Sequence, residues 1–249
     1  MPERFRDEEE QRTWNRNFEK RFADVLRHTF GHTIQLDNSM SAADINTLIA
    51  NQHKMIPHGH ELIFEFQNGT YNLTEAIVVP MFYGRQLTFT SVAGTTTLHT
   101  TQPVFLDFVS YECNGIEIYD NWNFLKIIDL KIRVKTNVQD NNAIYPIHSN
   151  YVQIQGCYLQ GNSRNFGAGA FYERGSNGAV QTTYVELQRA GIYAFRGSEI
   201  YSTVNDDIPG NPPDYGLYAN DGTIKKATAG TQPAGNTANE FTTNGGVIE

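Results

Sequence analysis

Three carboxylates stand close together in the stretch Asn205-Asp206-Asp207-Ile208-Pro209-Gly210-Asn211-Pro212-Pro213-Asp214. Cleavage of a glycosidic bond needs two such groups. One protonates the leaving oxygen, and the other attacks the sugar or activates water. Asp206, Asp207 and Asp214 are therefore the catalytic candidates if the chain is an enzyme, and the same oxygens suit a cation or sugar hydroxyls. Three prolines with Asn, Gly and Asp make the stretch read as a surface loop. A merely solvated acidic loop is the plainer reading, and the composition favours it. Asp107, Glu117, Asp120 and Asp129 form a second candidate set that would line one face across two coils. Strand alternation sends charged residues outward in any case. His53, His58 and His60 fall within eight residues, but only Glu61 accompanies them, so they read as a surface turn. There is no Gly-x-Ser-x-Gly, no phosphate-binding glycine loop and no Cys-x-x-Cys. Nothing in the pattern requires a cofactor or a metal.

Aromatic residues carry more information. Tyrosines recur once or more per repeat from residue 111 onward, with Tyr145, Tyr172, Tyr193 and Tyr218 in corresponding phrases. A ring face stacks on a sugar while the hydroxyl stays wet. The same row would serve equally well as a subunit interface.

The elements that hold these residues follow from periodicity. Residues 7–28 read as one helix, because Trp14, Phe18, Phe22, Val25 and Leu26 form a single apolar stripe. Its other faces are charged. Seven acidic and seven basic residues lie in the first 30, so the net charge of −8 belongs to the remainder. Such a stripe must bury itself on its own domain, on copies of itself or on a partner, since each ring would otherwise forfeit roughly 1.5–3 kcal/mol. Residues 1–33 are thus assigned as a docking or oligomerisation segment, with Trp14, Phe18, Phe22 and Leu26 as its contact residues. Ser41-Ala42-Ala43-Asp44 begins a second helix with a capping box, expected at about 41–53.

Beyond it, short apolar runs alternate with turn residues. One phrase recurs with Ile116, Ile144, Ala170, Ile192 and Leu217 as equivalent positions, at steps of 28, 26, 22 and 25. A last phrase, Gly245-Gly246-Val247-Ile248, is expected to start another coil. Between the phrases lie further strands, at 124–130, 151–159, 179–187 and 223–227. A period near 25 with two or three short strands suits a parallel β-helix, in which stacked coils share one core. A β-sandwich is the alternative. The chain of 249 residues, with 23 Asn and 23 Thr against 7 Lys, favours strands and turns. It provides six or seven coils at that period.

Two stretches carry a family resemblance. Trp14-Asn15-Arg16-Asn17-Phe18, within a charged helix, resembles the N-termini of phage tail-fibre and tailspike-type proteins. Phe66-Gln67-Asn68-Gly69-Thr70-Tyr71-Asn72-Leu73, after a capping helix, is similar to the opening coil of pectin-lyase-like β-helices. The resemblance implies an all-β, right-handed parallel β-helix over residues 34–249, preceded by the amphipathic helix and the capping helix. It also implies a homotrimer bound to other virion proteins through the N-terminal helix. The role implied is that of a tail fibre, tailspike or tail adaptor, with capsid decoration and polysaccharide depolymerase as alternatives. Host-surface glycan is the implied ligand. The acidic chain argues against nucleic acid. The charged start MPERFRDEEE and the lack of a long apolar run argue against a signal peptide and membrane insertion, so synthesis in a cytoplasm is expected, and the resemblance implies the virion as the location. Cys113 and Cys157 are too few for a disulfide scaffold and read as reduced core thiols.

Overall fold

The computed structural model describes residues 33–52, 55–92, 103–137 and 140–249. The helix expected at 7–28, with Trp14, Phe18, Phe22 and Leu26, lies outside the described residues. What is described is an all-β parallel solenoid of about eight turns with a single helix. Three sheets run its length. The first has nine strands, from Thr33–Leu36 to Val247–Ile248. The second has seven, from Ile77–Val79 to Ala238–Thr243. The third has six, from Gly69–Asn72 to Asp206–Asp207. Each strand pairs in parallel with its counterpart one coil away. The turn count exceeds the six or seven expected, because coils already stack before residue 104.

The repeat equivalence holds residue by residue. Ile144 pairs with Ile116 and with Ala170, Ala170 with Ile192, and Ile192 with Leu217. All five side chains are fully buried. Parallel in-register stacking puts like above like, so one apolar position per coil becomes a continuous column of the core. The last phrase departs from this series. Leu217 pairs with Glu240, and Val247–Ile248 instead joins the first sheet beside Thr223–Ile224. The long connection through Pro233 and Gly235 displaces the apolar phrase by one strand. The runs expected as single strands, such as 151–159, split in two: Val152–Gln155 belongs to the first sheet and Tyr158–Gln160 to the third.

The bend is made by residues in the left-handed region. Asp120, His148, Arg174, Arg196, Asp221 and Asn244 all have φ between 50° and 57° at the corner leaving the second sheet. Asp129, Gly156, Thr182 and Val204, with φ between 48° and 64°, are left-handed at the corner leaving the first. A non-glycine residue there costs about 1–2 kcal/mol. Polar ladders inside the corners offset it. The Ser149 hydroxyl accepts from the Asn121 N–H at 3.1 Å, and the Ser176 hydroxyl accepts from the Ser149 N–H at 3.0 Å. Asn205, wholly buried, accepts from the Thr183 N–H and donates to the Val180 carbonyl.

The capping helix runs Ala42–Ala50, shorter than the expected 41–53 because Asn51 already closes it. Its capping box is complete: Ser41 Oγ accepts from the Asp44 N–H, and Asp44 Oδ2 accepts from the Ser41 N–H. Ala42, Ile45 and Ile49 are buried against the core. Asn46 also satisfies the edge of the second sheet, donating to the Ala76 carbonyl and accepting from the Val78 N–H. An edge strand left bare would offer its backbone to other chains. Ser41→Ala is expected to lower stability by about 1 kcal/mol, read from the midpoint of urea unfolding. Among the described residues no helix is long and apolar enough to cross a membrane.

Candidate functional site

The three candidate aspartates do not converge. Asp206–Asp207 is not a loop but the last short strand of the third sheet, paired with Tyr184 and Val185. The proline-rich loop begins only after it. Neighbouring strand residues point to opposite faces, so these carboxylates cannot flank one bond. Each is also engaged. Asp206 Oδ1 accepts the Asp207 N–H, Asp207 Oδ1 accepts the Ala234 N–H at 2.9 Å, and Asp214 Oδ1 takes the Thr237 hydroxyl at 3.4 Å. The second acidic set is dispersed as well. Asp107 in the third sheet pairs with Arg133, and Glu117 in the second binds Asn114 and the Tyr119 hydroxyl. Asp120 and Asp129 sit at different corners. Burial pushes the Asp129 carboxyl up, but it stands apart from the other three. Of the histidines, His53 and the side chain of His58 lie outside the described residues. Among the described residues no three His, Cys, Asp or Glu side chains are placed to share a metal ion. Cys113 and Cys157 are free thiols, and burial pushes the Cys157 thiol up to about 12.

The four tyrosines singled out by the repeat are not equivalent. Tyr172 is fully buried in the core, with its hydroxyl donating to the Val152 carbonyl at 2.7 Å. It is Phe171 that stands opposite Tyr193. The repeat itself carries this signal, since matching Ala170 to Ile192 matches Phe171 to Tyr193 and Tyr172 to Ala194. Tyr145, Phe171, Tyr193 and Tyr218 then form one ladder on the outer face of the second sheet. Their ring centroids are 5.0, 4.5 and 4.3 Å apart, with interplanar angles of 3°, 15° and 6°. Such stacking contributes about 0.5–1.5 kcal/mol per pair, and it takes both faces of Phe171 and Tyr193. Burial pushes the Tyr193 phenol up to about 12. A sugar needs a free face, so the ladder is a brace for the coils and not a stacking platform.

Free ring faces lie elsewhere, on the first sheet. A groove of about 670 Å³ runs across its outer side. Phe124, Tyr151 and Tyr201 wall it, and Trp122 stands on the adjoining corner. They are 40%, 62%, 46% and 56% exposed. Among the described residues no other ring stacks on them, but Lys126 Nζ lies over the Phe124 ring, 5.3 Å from its centroid. Register explains the hollow. Gln153, Ala179 and Tyr201 follow one another on successive strands. Ala179 beside Gly178 leaves a low floor between taller side chains, and Tyr151 and Tyr201 stand two strand spacings of about 4.8 Å apart along the axis. Gly178 is required by the core side: a Cβ there would meet the Val152 carbonyl oxygen at 1.9 Å. Tyr151 is itself a left-handed residue, φ 57°, and its N–H is held by Asn177 Oδ1 at 2.9 Å, which sets the ring's position. Gln153 Nε2 donates to Gln181 Oε1 at 2.8 Å. That leaves Gln153 Oε1 and Gln181 Nε2 facing the groove with no bond to another described residue. Amide donors and acceptors beside uncovered rings match the two chemical faces of a pyranose, its C–H patch and its hydroxyls. Glu199 at the rim is paired with Lys225 at 2.7 Å.

No family model matches the chain. No curated protein matches it either. Among solved structures, a rice weevil pectin methyl esterase is similar over 87% of this chain and 91% of that chain, at 13% identity and a TM-score of 0.32. At that level the likeness carries no weight for a site or an activity. The three stacked parallel sheets establish the solenoid.

Sequence reasoning counted Tyr151 and Tyr201 among the recurring tyrosines without setting them apart, and missed Trp122 and Phe124. A signal was present. Asp120-Asn121-Trp122-Asn123-Phe124 places two large rings in an Asn-rich turn, where a packing partner is not expected.

Proposed function

We propose that this chain is a structural solenoid that holds a surface glycan without cutting it, in a virion component of the tail-fibre, tailspike or tail-adaptor kind. The observation that carries the glycan reading is the first-sheet groove, with its uncovered Tyr151 and Tyr201 rings beside the unbonded amide atoms of Gln153 and Gln181 and the exposed Trp122 ring on the adjoining corner. Support for binding without cleavage comes from the carboxylates: Asp207 and Asp214 are held by the 234–237 segment, Asp206 accepts from the adjacent backbone N–H, and the Asp206–Asp207 strand lies in the third sheet while the groove lies on the first. The virion placement rests on the resemblance of the Trp14–Phe18 segment to tail-fibre N-termini. In this reading the Trp14, Phe18, Phe22 and Leu26 stripe docks on other virion proteins, and three copies associate. A capsid decoration would share all of these features apart from its site on the particle.

The test is a panel of immobilised bacterial surface polysaccharides, followed by chain-length analysis of whatever the protein retains. Retention with unchanged chain length is the expected result. Release of new reducing ends or unsaturated ends would establish a depolymerase instead, and retention of no polysaccharide would end the glycan reading. A solution mass of three chains is expected for the full-length protein, and a stable monomer would remove the tail-fibre placement.

A further inference from the structure

The corner leaving the second sheet places His148, Arg174 and Arg196 on three successive coils, in a chain of net charge −8. The carboxylate within reach of both arginines is Glu173. It is buried, its Oε1 lies 2.9 Å from Arg196 Nη1 and 3.4 Å from Arg174 Nε, and its Oε2 takes the Tyr145 hydroxyl. One carboxylate neutralises one guanidinium. Arg196 has the shorter contact and also lies over the Phe195 ring at 4.7 Å. Arg174 meets Glu173 through Nε alone, so its Nη1 and Nη2 groups have no partner among the described residues. It lines a hollow of about 270 Å³ with Asp120, Trp122, His148, Asn150 and Gly175. Asp120 is directed to His148, 3.5 Å from its Nδ1. The hollow and the first-sheet groove share Gly175. That residue has φ +74° and no atom near its absent Cβ, so the passage between them is open.

We infer that Arg174 receives an anionic substituent, a carboxylate or a phosphate, of the glycan lying in the groove, with Trp122 against the sugar that bears it. This inference rests on the glycan reading and narrows it to acidic surface polysaccharides. A guanidinium presents its N–H groups as a planar fork that matches either anion with two parallel hydrogen bonds. Beside an aromatic wall, part of the competing water is displaced and the pairing gains strength. The neutral part of the polymer then runs across Tyr151 and Tyr201, beside the amides of Gln153 and Gln181.

The experiment compares binding of the full chain to a polyuronate, to a phosphodiester-linked sugar polymer, and to the polyuronate after reduction of its carboxyls to alcohols. One of the charged polymers is expected to bind about tenfold more tightly than the reduced one, with the difference shrinking as salt is raised. Which charged polymer binds identifies the anion. Arg174→Gln should abolish the difference, Arg174→Lys should retain part of it, and Tyr201→Ala should weaken charged and reduced polymers alike. Arg196 still neutralises Glu173 in the Arg174→Gln protein, so its melting temperature should match that of the wild type. If that variant fails to fold, the charged-against-reduced comparison on the wild type still decides the matter. Equal binding of charged and reduced polymer overturns the role of Arg174 and leaves the glycan reading standing. Binding of none of the three overturns both.

Discussion

Tyr172→Ala is expected to destabilise the solenoid by about 3–5 kcal/mol, a large fraction of the roughly 5–15 kcal/mol that holds an ordinary domain together. The ring is fully buried, and Gly178 is what makes room for it: an added Cβ there would lie 3.0 Å from Tyr172 Cε1. Truncation therefore empties a space that the two neighbouring coils cannot close, because both are held in register by parallel strand pairs on either side. Tyr172→Phe keeps the ring and removes the hydrogen bond to the Val152 carbonyl. It should cost only about 1–2 kcal/mol. Burial also holds the Tyr172 phenol well above its ordinary pKa. Such a group contributes its full share of stability below the unfolded pKa of about 10, and that share is lost as pH rises toward the folded value. The Phe variant should therefore lose less stability than the wild type between neutral pH and strong alkali. Chemical unfolding followed by circular dichroism measures all three effects. An alanine variant with an unchanged midpoint would show that the ring is not a core residue.

The double change Tyr151→Ala and Tyr201→Ala is expected to reduce glycan affinity about tenfold or more, at about 0.5–1.5 kcal/mol for each stacking ring. Both rings are exposed, so the change should alter folding stability by no more than about 0.5 kcal/mol. Tyr193→Ala is the contrasting case. Its ring lies between Phe171 and Tyr218 at 4.5 and 4.3 Å. Removing it should cost about 1–3 kcal/mol of stability through two lost stacks and leave affinity unchanged. Titration calorimetry with the best polysaccharide from the panel separates the two outcomes. If Tyr193→Ala abolishes binding while the double variant binds normally, the glycan lies on the ladder and not in the first-sheet groove.

These two variants differ because a tyrosine's chemistry in a solenoid depends on which way it points and what stands one coil above it. The direction is legible from the chain. Strand alternation and the matched positions Ile116, Ile144, Ala170, Ile192 and Leu217 already send Phe171 outward and Tyr172 inward. What stands above a ring is not local. Tyr193 is covered because Phe171 and Tyr218 are its neighbours in register, whereas Tyr201 has Ala179 on one side and Lys225 on the other. Those neighbours come from coils 22 to 25 residues away, and the loops between them vary in length. The same limit applies to Asp206 and Asp207, whose prolines and Asn/Gly neighbours describe a loop. Pairing with Tyr184 and Val185 makes them a strand all the same.

By itself the sequence determined the parallel solenoid, its repeat, the capping helix with its Ser41–Asp44 box, and the inward columns of the core. Each of these follows from spacing along the chain, and in-register stacking converts spacing directly into contact. Only the tertiary structure decided which rings keep a free face, which carboxylates are already bonded, and that Arg174 meets Glu173 through Nε alone. Each of these depends on what the adjacent coil presents at the same height. In a solenoid that is set by the register of the stack, which no single coil's sequence contains.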